Sequence, residues 1–159
     1  MTRILFDTNV AIDLVIARVP KTHESILQLL GLCGNDDVLM LSTLSLKDLS
    51  FYLENNRQIR EVIPSKRDRA RMAHEARGCI LGQFAICAID EAIVRAAHDN
   101  TAEPDFDDAL VAECAKAYRA DVIVSSDKEA FIDSAVPKMT PAECVRFLKV
   151  RNRSEPKRG

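Results

Sequence analysis

Ile4-Leu5-Phe6-Asp7-Thr8-Asn9-Val10 sets the fold class: three apolar residues end in an acid, and apolar side chains then recur at positions 10, 12, 14, 15, 16 and 19. A short unbroken apolar run followed by that period predicts a buried strand feeding a largely buried helix. The same grammar returns downstream. Pro20 is expected to stop the first helix and Thr22 to cap a second, whose stripe of Ile26, Leu27, Leu29, Leu30 and Cys33 reaches Gly34. Asp36-Asp37 opens a second strand at 38–42, and Thr43 or Ser45 starts a third helix along Leu46, Leu49, Phe51, Tyr52 and Leu53. Further strands are expected at 84–89, at 121–125 and, briefly, at Lys138-Met139. Asp90 caps a helix through Ala97, another helix follows Asp108, and Thr140-Pro141-Ala142-Glu143 forms a capping box for the last one. Helices alternating with nearly continuous apolar strands predict an α/β fold around a mostly parallel sheet of four or five strands.

The chain's 159 residues, 47% of them hydrophobic, suit one domain with its own core. That domain is expected to span 1–149, with a basic helical insertion at 55–78 and a basic tail at 150–159. The formal net charge of −2 gives no general attraction to nucleic acid or to an anionic membrane, so such a partner needs local patches. No apolar run approaches the roughly 18 residues of a membrane span, and the N-terminus lacks a secretory pattern. A cytoplasmic setting is therefore expected. Five cysteines, an odd number without a C-x-x-C pair, read as reduced thiols packed in the core, and His23, His74 and His98 are too scattered to form a ligand set.

Ligands of parallel sheets bind beyond the carboxyl ends of the strands, where the following helices also begin. Asp7 ends the first strand and Asp127 lies two residues past the fourth. Asp107 and Asp108 open one helix, and Asp48 falls in the first turns of another. Any one of them could be an ordinary helix cap, stabilised by the helix dipole. The crowding of Asp105, Asp107 and Asp108 at one helix start, with no lysine or arginine between Arg95 and Lys116, asks for more, because like charges so close repel unless a cation neutralises them. Hard carboxylate oxygens without histidine or thiolate suit Mg²⁺ or Mn²⁺ rather than zinc. Such ions can activate water and hold the oxygens of a phosphodiester under attack.

Leu5-Phe6-Asp7-Thr8-Asn9-Val10, Ser42-Thr43-Leu44-Ser45-Leu46-Lys47-Asp48-Leu49, Asp105-Phe106-Asp107-Asp108-Ala109-Leu110-Val111-Ala112 and Ser125-Ser126-Asp127 resemble, in order and spacing, the motifs of PIN-domain nucleases, especially VapC-like toxins. The resemblance covers nearly the whole chain. It implies a three-layer α/β/α sandwich and a metal-dependent endoribonuclease of a toxin–antitoxin pair. Asp7, Asp108 and Asp127 match the family's acids, with Asp107 in a frequent acidic position beside them. Asn9 and Ser125 match polar positions that orient the metal-binding carboxylates. The chain departs at the second acid, usually glutamate, where Asp48 is one methylene shorter. An RNA substrate, an antitoxin protein and a homodimer are the partners the resemblance implies.

An acidic cleft repels RNA, so cations are needed at its rim. The stretch 55–78 carries an excess of four positive charges, and Arg67, Arg69 and Arg71 are the candidates for backbone contact. Glu61, Asp68 and Glu75, interspersed at helical spacing, fit a solvated, salt-bridged face equally well. The competing function is a catalytically silent module that binds RNA or a protein, with the short Asp48 as its mark. Receiver domains and D-x-D phosphatases fit poorly, because the triplet after the first strand is Asp7-Thr8-Asn9.

Overall fold

The computed structural model describes residues 1–154. Five strands, β1 (Arg3–Phe6), β2 (Val38–Ser42), β3 (Ala85–Cys87), β4 (Val122–Val124) and β5 (Lys138–Met139), form one sheet in the order β3-β2-β1-β4-β5. Every pairing is parallel, and Leu5 of central β1 stands between Met40 of β2 and Ile123 of β4. Helices α1 (Thr8–Ile16), α2 (Pro20–Leu32), α3 (Thr43–Asn55), α4 (Arg57–Val62), α5 (Lys66–Gln83), α6 (Glu91–Asp99), α7 (Phe106–Ala117) and α8 (Pro141–Ser154) connect and cover it.

Successive side chains of a strand point to opposite faces, and here both faces are buried. Ile4 and Phe6 enter a core with Val10, Ile26, Leu29, Leu49, Leu53, Ile80 and Leu148 from α1, α2, α3, α5 and α8. Leu5, on the other face, joins Val111, Cys114 and Ala115 of α7 with Ile93 of α6 and Phe131. The result is the expected three-layer sandwich.

Boundaries differ from the sequence reading for local reasons. Pro20 does not end a helix; it begins α2, because a proline's missing N–H is no loss in a first turn, and Thr22 lies inside the helix rather than capping it. Helix α1 already stops at Ile16, where Ala17 adopts a left-handed conformation at φ 48°. Helix α3 starts at Thr43, one of the two expected starts, and Ser42, the last residue of β2, caps it by accepting the Ser45 N–H. Asp90 and the Thr140–Glu143 box cap α6 and α8 as expected. Of the five cysteines, Cys87, Cys114 and Cys144 are buried, Cys33 is half-buried and Cys79 is exposed, so the core reading fails for Cys79. Burial pushes the Cys33 thiol up to about 11 and the Cys144 thiol to about 12, which keeps both protonated and inert at neutral pH.

Helix α8 continues through Ser154, into the stretch expected as a basic tail. Residues 155–159, with Lys157 and Arg158, lie outside the described residues. Arg151 is anchored instead: its Nη1 and Nη2 donate to the two carboxylate oxygens of Asp37 at 2.7 Å each, and Nη1 also reaches the Thr2 hydroxyl at 2.6 Å. The guanidinium holds the Asp37 carboxyl below the usual carboxylate range, against the opposing effect of burial. This pair ties α8 to the turn before β2. Arg151→Ala leaves a nearly buried carboxylate with only the Thr2 and Gly34 N–H groups and no cation, and chemical denaturation should show a loss of about 2 kcal/mol.

Candidate functional site

All four segments singled out in the sequence end at the carboxyl edge of the sheet. Asp7 leaves β1 and caps α1, its Oδ1 accepting the Thr8 N–H at 2.7 Å. Its Oδ2 accepts the Ser125 hydroxyl at 2.9 Å, and Ser125 Oγ in turn accepts the Asp127 N–H at 3.1 Å. Asp7 and Ser125 are buried, so this chain of bonds fixes the carboxylate in one orientation. At the neighbouring strand end, Thr8 donates to Ser45 Oγ at 2.9 Å and Ser42 to the same oxygen at 3.0 Å, which locks the start of α3 against the start of α1.

Helix α7 brings three acids at once. Asp105 caps it, with Oδ1 accepting the N–H groups of Asp107 and Asp108, so the side chains of Asp107 and Asp108 carry no capping duty. Asp48 sits on α3 with Lys47 Nζ at 2.9 Å from its Oδ1. A cavity of about 270 Å³ is lined by Asp7, Asp48, Asp105, Asp107, Asp108 and Asp127 together with Thr8, Asn9, Leu44 and Val111. Thus Asp7, Asp48, Asp107, Asp108, Asp127 and Asn9 line one cavity, with Ser125 behind Asp7. Asp105, Thr8 and Ser45 were not among the expected site residues. Asp105 was legible only as part of the acidic crowd, and Ser45 only as a possible helix start within a motif.

The electrostatics follow from this crowding. Burial first, then the charges of Asp7, Asp105, Asp127 and Glu103, push the Asp108 carboxyl up to about 6. Burial also raises Asp7, with Asp127 adding to the rise, while the bonds from Ser125 and Thr8 and the charge of Lys138 oppose it. Among the described residues, no three His, Cys, Asp or Glu side chains converge closely enough to hold a metal ion as they stand. The donors are nonetheless hard oxygens throughout, and the burial and crowding that raise Asp7 and Asp108 are the condition that a divalent cation relieves. The residues therefore fit Mg²⁺ or Mn²⁺ in their chemistry.

The basic stretch needs a correction. Arg69 is only 8% exposed; its Nε donates to Glu54 O at 2.8 Å, and its Nη1 to Ile63 O at 2.8 Å and Pro64 O at 2.6 Å. It satisfies carbonyls left over where α3 and α4 end, and so it is a structural residue rather than a contact for RNA. Arg71 is exposed, 3.3 Å from Asp68, and Arg67 is exposed as well. Neither lines the acid cavity.

A family model described as PIN domain matches residues 3–129, most of the chain and all four acid-bearing segments. The protein belongs to the PIN domain family. Among solved structures, this PIN domain is similar to a chain of VapBC2 from Rickettsia felis bound to a DNA fragment from their promoter. The two are 15% identical, with a TM-score of 0.61 over 87% of this chain and 98% of that one. It is also similar to a chain of FitAB bound to an IR36 DNA fragment, at 22% identity and a TM-score of 0.59, over 87% of this chain and 95% of that one. At such identities the likeness is one of fold. No curated protein sequence matches it. Among the described residues no helix is long and apolar enough to cross a membrane.

Proposed function

We propose that this PIN domain is a divalent-metal-dependent endoribonuclease and the toxin of a VapBC-type toxin–antitoxin pair. The observation that carries the reading is that six carboxylates line one cavity at the sheet's carboxyl edge, where Asp108 is driven up to about 6. Asp7, Asp108, Asp127 and Asp107 are the residues to hold Mg²⁺ or Mn²⁺. Such an ion supplies activation of water and neutralisation of the phosphodiester under attack.

The protein's own part is preparation. The Ser125 hydroxyl and the Thr8 N–H favour the ionised form of Asp7 and hold it in place. Asn9 lines the same cavity and offers an uncharged oxygen among acids. Asp48, oriented by Lys47, stands where the family usually has glutamate, so its shorter reach favours action through a water molecule. Among the described residues no cysteine, serine or histidine lines the cavity, and the Thr8 hydroxyl is engaged with Ser45, so direct attack by a water molecule is the step this reading assigns.

For an antitoxin partner, the support is that both similar structures are two-component complexes. A homodimer draws support from the exposed apolar side chains of Phe51, Val62, Leu81 and Phe106. The RNA backbone, in this reading, meets cations at the start of α5. Reversing Arg67 and Arg71 to glutamate should weaken binding of single-stranded RNA. It should also make the slope of log affinity against log salt shallower, by about 0.7 for each phosphate that is no longer neutralised. An unchanged affinity measured across a salt series removes α5 from the substrate path.

Cleavage of structured and unstructured RNAs, with Mg²⁺, with Mn²⁺ and with chelator, tests the function. Cutting by the wild type that chelator abolishes is the expected result. A folded, antitoxin-free sample that binds RNA yet cuts nothing with either metal turns the reading to the silent module.

A further inference from the structure

Asp127 leaves β4 on an exposed turn, yet a carboxylate that holds a reacting centre must itself be held. Within the turn its Oδ1 accepts the N–H groups of Glu129 at 2.8 Å and Ala130 at 3.2 Å. Its Oδ2 makes no hydrogen bond among the described residues. Two side chains remote in sequence grip this turn.

The first is Glu103, in the segment between α6 and α7 and only 5% exposed. Its Oε2 accepts the Phe131 N–H at 3.1 Å. Phe131 adopts a left-handed backbone at φ 62°, strained for an aromatic residue, with its ring buried in the core under α7. Glu103 Oε1 is buried without a partner among the described residues, an arrangement unfavourable to stability by itself. The second is Lys138 on β5, whose Nζ donates to the carbonyls of Asp127 at 2.7 Å, Lys128 at 3.3 Å and Ala130 at 2.5 Å. Carbonyls of the turn are thus taken from one element and an N–H from another, and Glu103 ties the approach to the α7 acids directly to the turn that carries Asp127.

We propose that Glu103 and Lys138 are positioning residues for Asp127, fixing the turn 127–131 so that Asp127 keeps one oxygen uncommitted in the acid cavity. The proposal rests on the reading of that cavity as a metal centre. Neither residue touches the reacting atoms. On the turn itself Glu103 acts as a hydrogen-bond acceptor and Lys138 as a donor to carbonyls.

Glu103→Ala, Glu103→Gln and Lys138→Met, compared with the wild type, test it by two readouts. One is amide hydrogen exchange over 127–134 in the metal-free protein; the other is the affinity for Mn²⁺ alone. Glu103→Ala and Lys138→Met should exchange faster over 127–134 while α2 and α8 keep their protection, and should bind Mn²⁺ about tenfold more weakly or worse. Glu103→Gln, which keeps an acceptor for the Phe131 N–H, should restore both to within about twofold of the wild type. Three outcomes overturn the proposal: unchanged exchange in the alanine variant, faster exchange with unaltered Mn²⁺ affinity, or a glutamine variant as impaired as alanine. A wild type that binds no Mn²⁺ sinks the metal reading alone, and the exchange data still decide whether the grip on the turn exists.

Discussion

Asp7→Asn should abolish metal-dependent cleavage while leaving the fold intact. Asparagine is nearly isosteric, and its carbonyl oxygen can still accept either the Thr8 N–H or the Ser125 hydroxyl that now bind the carboxylate. The fold has little to lose, since burial already disfavours the charge at this position. The metal has much to lose, because a neutral amide replaces the most buried carboxylate of the cavity. Removing a group that merely orients a ligand costs metal affinity or activity roughly 10–100-fold, so removing the ligand should cost on the order of a hundredfold or more. Single-turnover cleavage at saturating Mn²⁺, beside a thermal melt of the same preparation, measures both. Retained cleavage in a folded variant would place the chemistry elsewhere.

The second large effect is on stability and has a definite sign. Asp108 binds its proton more tightly in the folded protein, at about 6, than in the unfolded chain, at 3.8. The native state therefore holds more protons between those values, and the metal-free protein should become more stable as the pH falls from 7 toward 5. Asp37 works the other way, since its folded value is lowered by Arg151. Its contribution is lost only on further acidification, below the ordinary carboxylate range near about 4, so the two windows separate. Asp108 is half-open to solvent, and after discounting for screening the gain is about 1 kcal/mol, or about 2–4 °C in Tm. A divalent ion relieves the same repulsion at pH 7: Mn²⁺ at about a hundred times its Kd should add about 2.7 kcal/mol and raise Tm by about 5–10 °C. Because protons and metal compete for the same oxygens, the Mn²⁺-induced shift should shrink at pH 5. Melts at the two pH values, with Mn²⁺ and with chelator, give all four numbers; a metal shift that grew on acidification would contradict this account of the cavity.

The corrected positions share a cause. Arg67, Arg69 and Arg71 are alike in sequence, yet one is a buried link between helix ends and the others are exposed. What separates them is the angle at which α5 meets α3 and α4, and a local pattern carries no such angle. Glu103 looks like one more acid in an acidic stretch; only the fold places it under the Phe131 N–H. Arg151 looks in sequence like part of a basic run; only the fold joins it to Asp37, a residue 114 positions away.

The strands and the edge at which their acids emerge were legible from residue order alone. An unbroken apolar run must be buried on both faces, and a chain that alternates such runs with helices has few ways to do so. Asp7, Asp48, Asp107, Asp108 and Asp127 followed from that edge, being close to strand ends or helix starts. Tertiary structure alone decided which oxygens are committed to neighbours and which are left over. It placed Ser125 on Asp7, Asp105 on the N–H groups of Asp107 and Asp108, and Glu103 with Lys138 on the turn of Asp127. Hydrogen bonds require atoms within about 3 Å, and sequence fixes such distances only within a turn or a helix, whereas partners dozens of residues apart meet only when the whole sheet has closed.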